Sequence, residues 1–309
     1  MRHFLQRFYW IYHRLRNIWP VWCYLLNHQS RHVWQEYAPR HPLNAAQEKL
    51  AAGLRRDGIT VTHITELFPE TDIFNKLFQY AGSLATVPLA QEKIAALEAG
   101  RVSAKGDLIV HLLGGYGGTQ PVLSLSDPFI QFILSSGILQ IVGVYLGSLP
   151  KFKMFSLHST ILRPENAPPQ FSQRWHRDPD DKKIVKVFLY LSDVSDEQAG
   201  PFKYVLGSQH GGRWRNFYPQ LPPVGRYPPD GEVERAIPKD HIRICTGKAG
   251  TMIFCDTSGL HRGGYSTKER RLMFAGTFVT NASIQPRNYF FEDDISSSDI
   301  SPLARYAIS

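Results

Sequence analysis

From about residue 150 onward the chain breaks into short β-branched and aromatic runs, each bounded by Gly, Pro, Asp or Ser. This punctuation constrains the fold more than any other feature, because short, closely spaced strands close into a sandwich or barrel. Strands are predicted over Lys153 to Leu162, Ile184 to Leu191, Gly200 to Val205, Ile242 to Cys245, Thr251 to Cys255 and Leu272 to Thr280. The first 150 residues read differently. Leu43, Ala46, Leu50 and Leu54 recur at helical spacing over Leu43 to Arg56, with Gly58 as the stop. Ile59 to Thr62 alternates as a strand, and a second helix is expected over Leu89 to Ala99. Residues 211–240 combine many Pro and Gly with Trp214, Phe217, Tyr218 and Tyr227, which in a compact domain suits a lid or a substrate wall.

This pattern divides the chain into a basic amphipathic extension (residues 1–42), a mainly β domain (43–290) and a C-terminal tail (291–309). A hydrophobic share of 43% against 20% charged residues excludes a disordered or fibrous chain. The net charge of +8 suits an anionic substrate, a membrane surface or nucleic acid, and chooses none of them. Cys23, Cys245 and Cys255 are too few and too scattered for a disulfide framework or a C-x-x-C zinc site, so a reducing, cytoplasmic setting is expected.

Residues 2–19 place Phe4, Phe8, Ile11, Tyr12, Leu15 and Trp19 on one helical face, with Arg2, Arg7, Arg14 and Arg16 at the flanks. Such a helix either lies on an anionic membrane or packs its aromatic face onto the main domain, and packing is the commoner outcome. The apolar run Ile18 to Leu26 is far shorter than the ~20 residues a span requires, and Pro20 interrupts it. Neither a transmembrane helix nor a secretory signal is expected.

The chemistry concentrates in Trp175-His176-Arg177-Asp178 and, far downstream, Leu260-His261-Arg262-Gly263-Gly264. Two imidazoles and one carboxylate on one side of a metal leave positions open, which lets Fe(II) take a bidentate co-substrate and then O2. His176 and Asp178, two apart on an extended segment, point to the same side. An H-x-D pair alone is weak in a chain with 12 histidines, and a surface His beside a solvated turn is the bland alternative. The context of His261 strengthens the pattern. It follows a strand and a turn, and Arg270 or Arg271 then opens the next strand.

A guanidinium there suits 2-oxoglutarate, whose far carboxylate needs a permanent, bidentate cation. Arg271 shares a strand face with Met273, Ala275 and Thr277, whereas Arg270 shares one with Leu272, Phe274 and Phe278. The smaller side chains better suit a narrow interior and favour Arg271. Cys255 reads as a buried apolar side chain rather than a nucleophile, and no nucleic-acid module is recognisable.

Four blocks within residues 45–285 give the chain a resemblance to the phytanoyl-CoA dioxygenase family. They are Gln173-Arg174-Trp175-His176-Arg177-Asp178, Leu189-Tyr190-Leu191-Ser192-Asp193, Gly200-Pro201-Phe202 with Gly207-Ser208-Gln209-His210, and the stretch from His261 to Arg271. The resemblance implies a double-stranded β-helix, a jelly roll with flanking helices. It carries His176, Asp178 and His261 over as iron ligands, Arg271 as the 2-oxoglutarate partner and, more weakly, Gln173. In the family the residue two beyond the last histidine is often polar; here it is Gly263. His210 carries over as a loop-ordering residue rather than a ligand. Halogenating relatives replace the carboxylate ligand with a small residue, so Asp178 points to hydroxylation.

The expected activity is therefore hydroxylation of a small-molecule, lipid or carrier-linked substrate, with release of succinate and CO2. Two other readings stay open: an oxygenase of another H-x-D…H branch acting on nucleic acid, and a jelly-roll binding protein that has lost turnover.

Overall fold

Alternation along Val185-Lys186-Val187-Phe188-Leu189-Tyr190 sends odd and even residues to opposite faces, and both faces are covered. A computed structural model describes residues 8, 11–69, 71–100, 109–114, 121–220, 227–284, 287–292, 295 and 299–309. In chain order its strands are β1 (Ile59–His63), β2 (Ile109–Gly114), β3 (Val122–Leu123), β4 (Lys151–Thr160), β5 (Val185–Tyr190), β6 (Phe202–Val205), β7 (Ile242–Cys245), β8 (Thr251–Asp256), β9 (His261–Arg262), β10 (Leu272–Val279) and β11 (Phe290–Phe291). The larger sheet is antiparallel with order β1-β8-β5-β10-β4-β2. A smaller sheet, β7-β6-β9, faces it, and β3 pairs with β11 apart from both. The fold is the expected mainly β jelly roll with helices outside.

The two faces of the larger sheet divide the labour. Val187, Leu189, Phe254 and Phe274 join the main core with the helices Ala45–Asp57, Pro128–Ile133 and Ser136–Leu146. Phe129 stacks on Phe274 at 4.7 Å between ring centroids. The opposite face packs Phe188, Tyr190, Ile253, Cys255 and Met273 against Phe202, Tyr204 and Cys245 of the smaller sheet. Cys255 is thus the buried apolar side chain that its strand position suggested.

Local chemistry sets the element ends. Asn44 caps the helix Ala45–Asp57 in a capping box with Gln47, satisfying amide groups the first turn leaves without partners. Gly58 ends that helix at φ 77°, where a Cβ would meet the Tyr204 hydroxyl and the Gln209 side chain. The strand expected from Gly200 starts only at Phe202, because Gly200 is left-handed and Pro201 has no N–H to donate.

Two expectations are corrected. The C-terminal stretch does not trail as a tail: the helix Pro302–Ile308 buries Leu303, Ala304, Ala307 and Ile308 in the main core. Most of the N-terminal aromatic face does not pack on the domain either, Trp19 alone stacking on His210. Residues 11–16 are helical, but Phe8, Ile11, Tyr12, Leu15 and Trp19 are exposed, while Phe4 lies outside the described residues. The polar side is the one that docks: the ring of buried His13 hydrogen-bonds the Pro179 carbonyl at 2.8 Å, and Arg16 donates to the Ala282 carbonyl. Among the described residues no helix is long and apolar enough to cross a membrane.

Because Leu303 is almost fully buried, Leu303→Ala is expected to cost about 2–5 kcal/mol. Urea unfolding followed by circular dichroism should show a lower midpoint with an unchanged slope.

Candidate metal centre

His176 and His261 meet through their backbones. Each donates its N–H to the other's carbonyl, at 2.9 and 3.0 Å, forming one antiparallel bridge. β9 extends this contact by pairing with β6, where Tyr204 lies opposite His261. Asp178 is positioned by its own N–H, which donates to the Thr257 carbonyl at 2.9 Å. The ligand segment is therefore a loop clamped to the turn after β8 rather than the end of a strand.

The side chains converge as the backbone dictates. His176 Nδ1 donates to the Arg174 carbonyl at 2.8 Å and His261 Nδ1 to the Gly259 carbonyl at 2.9 Å. These bonds hold the tautomer that leaves both Nε2 lone pairs free. Each Nε2 lies 3.8 Å from an Asp178 carboxylate oxygen, and the three donor atoms all fall within 4.8 Å of one another.

The electrostatics suit a divalent cation. Burial holds His261 down to about 3, with neighbouring His176 adding to the effect, and burial lowers His176 too. Burial alone would raise the Asp178 carboxyl, but the Lys186 ammonium, with His261 and His176, outweighs it and keeps the group well below the usual carboxylate range. At neutral pH the set is two neutral imidazoles and one carboxylate, the protonation state a metal requires.

Arg177, between the two ligands in sequence, turns the other way and is 3% exposed. All five of its N–H groups donate to backbone carbonyls: Nε to Tyr218, Nη1 to Ser208 and Ser258, and Nη2 to Trp214 and Phe217. It ties the residue 208–218 loop to the turn that carries His261. That loop is consequently a packed wall, with Trp214 and Phe217 against Trp175, Val205 and Leu260. Tyr227 stands 6.0 Å from the His176 ring, Arg213 lies over Trp214, and Arg226 falls outside the described residues.

A cavity of about 160 Å³ opens between the sheets beside the ligands. Register brings its lining together: Thr277 pairs with Lys186 and Met154, Ala275 with Phe188 and Ser156, and Met273 with Tyr190 and His158. Arg271 continues this row, buried, with its guanidinium at the cavity wall. It donates to the Gly200 carbonyl and lies over the Tyr190 ring, yet its Nε has no hydrogen-bond partner and no carboxylate pairs with it among the described residues. Arg270 faces outward in a two-bond ion pair with Glu98, at 2.8 and 2.5 Å. Gln173 and Gly263 both line the cavity. Gln173 accepts from Arg163 and from the Gln170 N–H. His210 is exposed, stacked on Trp19 at 5.8 Å and outside the ligand group.

Sequence reasoning missed Lys186 and His158. Lys186 Nζ lies 2.7 Å from Asp178 Oδ2 and lines the cavity, so it orients the carboxylate. Its signal was available: within an otherwise apolar strand, a lysine in step with Phe188 and Tyr190 must point inward. His158 follows Met154 and Ser156 on the inward face of β4, and burial drives its pKa far down.

Replacing Arg177 with Lys leaves at least two of the five carbonyls without a donor, each costing ~1–3 kcal/mol. Arg177→Lys should therefore lower the unfolding midpoint by an amount worth at least ~2 kcal/mol and speed proteolysis within residues 208–218. A second expectation concerns pH. His261 is held neutral in the fold to about 3, whereas an unfolded His titrates near ~6.5. The stability this contributes is complete above the unfolded value and is lost as the pH falls toward the folded one. Metal-free wild type should accordingly lose stability relative to His261→Gln between neutral pH and pH about 4, measured by urea unfolding at each pH.

No protein-family model matches the chain, and no curated protein matches it. Solved structures do. EctD from S. alaskensis in its apoform aligns with a TM-score of 0.50 and 20% identity, over 87% of this chain and 90% of that one. The non-heme alpha ketoglutarate dependent epimerase SnoN from nogalamycin biosynthesis aligns with a TM-score of 0.49 and 18% identity, over 76% and 84%. AviO1 from Streptomyces viridochromogenes Tue57 gives 0.44 and 13%, over 79% and 99%. The EctD likeness shows a shared fold.

Proposed function

We propose that this chain is an Fe(II)- and 2-oxoglutarate-dependent oxygenase that hydroxylates a small-molecule, lipid or carrier-linked substrate. One observation carries the reading: a buried guanidinium without a carboxylate partner, Arg271, lines the same narrow cavity as a His176, Asp178, His261 ligand set. A buried cation without a counter-charge is costly. A dicarboxylate held at one end by the metal and at the other by Arg271 removes that cost. EctD, whose fold the chain shares, has been solved with bound Fe and with 2-oxoglutarate. The four sequence blocks support a phytanoyl-CoA dioxygenase-like member of the superfamily.

The residues present fit the metal: neutral nitrogen donors and one anionic oxygen on one side leave other positions open. Bound Fe(II) supplies the redox chemistry with O2 that turns 2-oxoglutarate into succinate and CO2 while the substrate is oxidised. The protein's part is placement. His176, Asp178 and His261 hold the metal, Lys186 keeps the carboxylate oriented, and Arg271 binds the distal carboxylate of the co-substrate. Phe188, Phe202 and Met273 supply apolar wall that keeps water from this end of the cavity. At about 160 Å³ the cavity is below the ~300 Å³ at which ligand pockets commonly begin, so it suits the co-substrate rather than a large substrate. An outer hollow of about 360 Å³ shares Gln173, Gly263 and Gly264 with it and offers the approach. Asp178, a carboxylate where halogenating relatives carry a small residue, favours hydroxylation.

The test is succinate formation from 2-oxoglutarate by anaerobically purified protein given Fe(II) and then air. Wild type should turn over, His176→Ala should lose activity, and Arg271→Ala should need at least ~10-fold more 2-oxoglutarate, the cost of one charge-assisted pair. Failure of wild type to bind Fe(II) or 2-oxoglutarate in anaerobic calorimetry sinks the reading.

A further inference from the structure

An amphipathic helix that completes a core turns its apolar face inward; the N-terminal segment here does the reverse. Phe8, Ile11, Tyr12, Leu15, Ile18 and Trp19 are between 41% and 66% exposed, and on the next turn Tyr24 and Leu25 reach 67% and 73%. His13, by contrast, is 3% exposed. The segment is firmly held in this orientation. His13 bonds the Pro179 carbonyl and Lys182 donates to the Asn17 carbonyl. Trp22 is fully buried and donates to Asp181 Oδ1 at 2.7 Å, and the Asn27 side chain accepts from the Ala282 N–H. The outward aromatic and aliphatic face is therefore a built surface.

We propose that this face, carried by residue 8 and residues 11–25, is a docking surface for an anionic lipid bilayer. The proposal is independent of the metal chemistry. Its occupant follows from charge and composition. Beside the apolar face a hollow of about 370 Å³ runs between the segment and residues 208–220, lined by Arg14, Arg177, Lys182, His210 and Arg215 with no acidic side chain. Lys182, Lys183 and Arg215 all act on half-exposed His210 in the direction that disfavours its protonation, after the larger effect of partial desolvation. A second copy of a chain carrying +8 would bring like charge against this rim, whereas anionic headgroups neutralise it. Tyr12, Trp19 and Tyr24 are the amphipathic ring types that settle at the headgroup level. The segment lies on the surface without crossing it. Its anchors, Pro179 and Asp181, lie in the loop that leaves Asp178, so the lipid-facing segment is tethered next to the candidate metal centre.

Flotation of the full chain with phosphatidylcholine vesicles, with and without a minority of phosphatidylserine, tests this directly. Wild type should float with the anionic vesicles and at least ~10-fold less with phosphatidylcholine alone, as basic residues near an anionic surface dictate. The exposed pair Leu15→Glu with Leu25→Glu should abolish flotation while leaving thermal unfolding unchanged, and Arg14→Glu with Arg215→Glu should weaken it. Wild type that stays in solution with both vesicles overturns the proposal, as does equal binding to both. A dimer in sedimentation velocity that Leu15→Glu dissolves, without vesicle binding, assigns the face to a second copy and overturns it equally.

Discussion

The reciprocal pair of backbone hydrogen bonds between His176 and His261 is the contact on which the site depends. It joins a loop that precedes β5 to a two-residue strand that follows β8, and it does so without either imidazole. The rings are left free to pair Nδ1 with nearby carbonyls and aim Nε2 at a common point. Backbone geometry thus bears the mechanical load, and the side chains remain available for chemistry.

Buried polar groups hold this contact in place. Asp256, at the end of β8, accepts from the Tyr145 hydroxyl and from the N–H groups of Ile184 and Ser258, which anchors the turn leading to His261. Arg177 spends its whole donor set on carbonyls of the same turn and of the aromatic loop. Both groups are satisfied, so their burial rigidifies the surroundings rather than straining them. Arg271 differs, being buried with part of its donor capacity unused. It shares an unpartnered Nε with Arg16 and Arg174, but of the three it is the one that lines the cavity beside the candidate ligands.

The sheet makes this division through its period of two. Along β5 and β10 one set of residues seals the helical core and the alternate set builds the cavity. A register slip of one residue would send Lys186, Thr277 and Arg271 into the helical core and Phe274 into the cavity. The packing of Phe129 on Phe274 guards against it.

Much of this was legible locally. Strand alternation, turn residues and helix stops are properties of neighbouring residues, so seven strand positions and the helices Ala45–Asp57 and Pro88–Glu98 could be read with small errors at their ends. The same alternation separated Arg271 from Arg270, since two adjacent strand residues cannot share a face. The H-x-D spacing and the turn before His261 marked the candidate ligands.

What the tertiary structure alone decided are relations between distant segments. An amphipathic pattern says that a helix has two faces but not which one meets the protein; polar partners at Pro179, Lys182 and Ala282 settled that at the N-terminus. The C-terminal helix became core because β4 and the helix Ser136–Leu146 present an apolar surface to it. Arg177 was an ordinary arginine in sequence, and its role arose only when five carbonyls from separate turns were folded around it. Local chemistry determines which elements form and which side chains share a face. Long-range packing determines what each face meets, because burial and hydrogen-bond satisfaction are settled between segments and not within them.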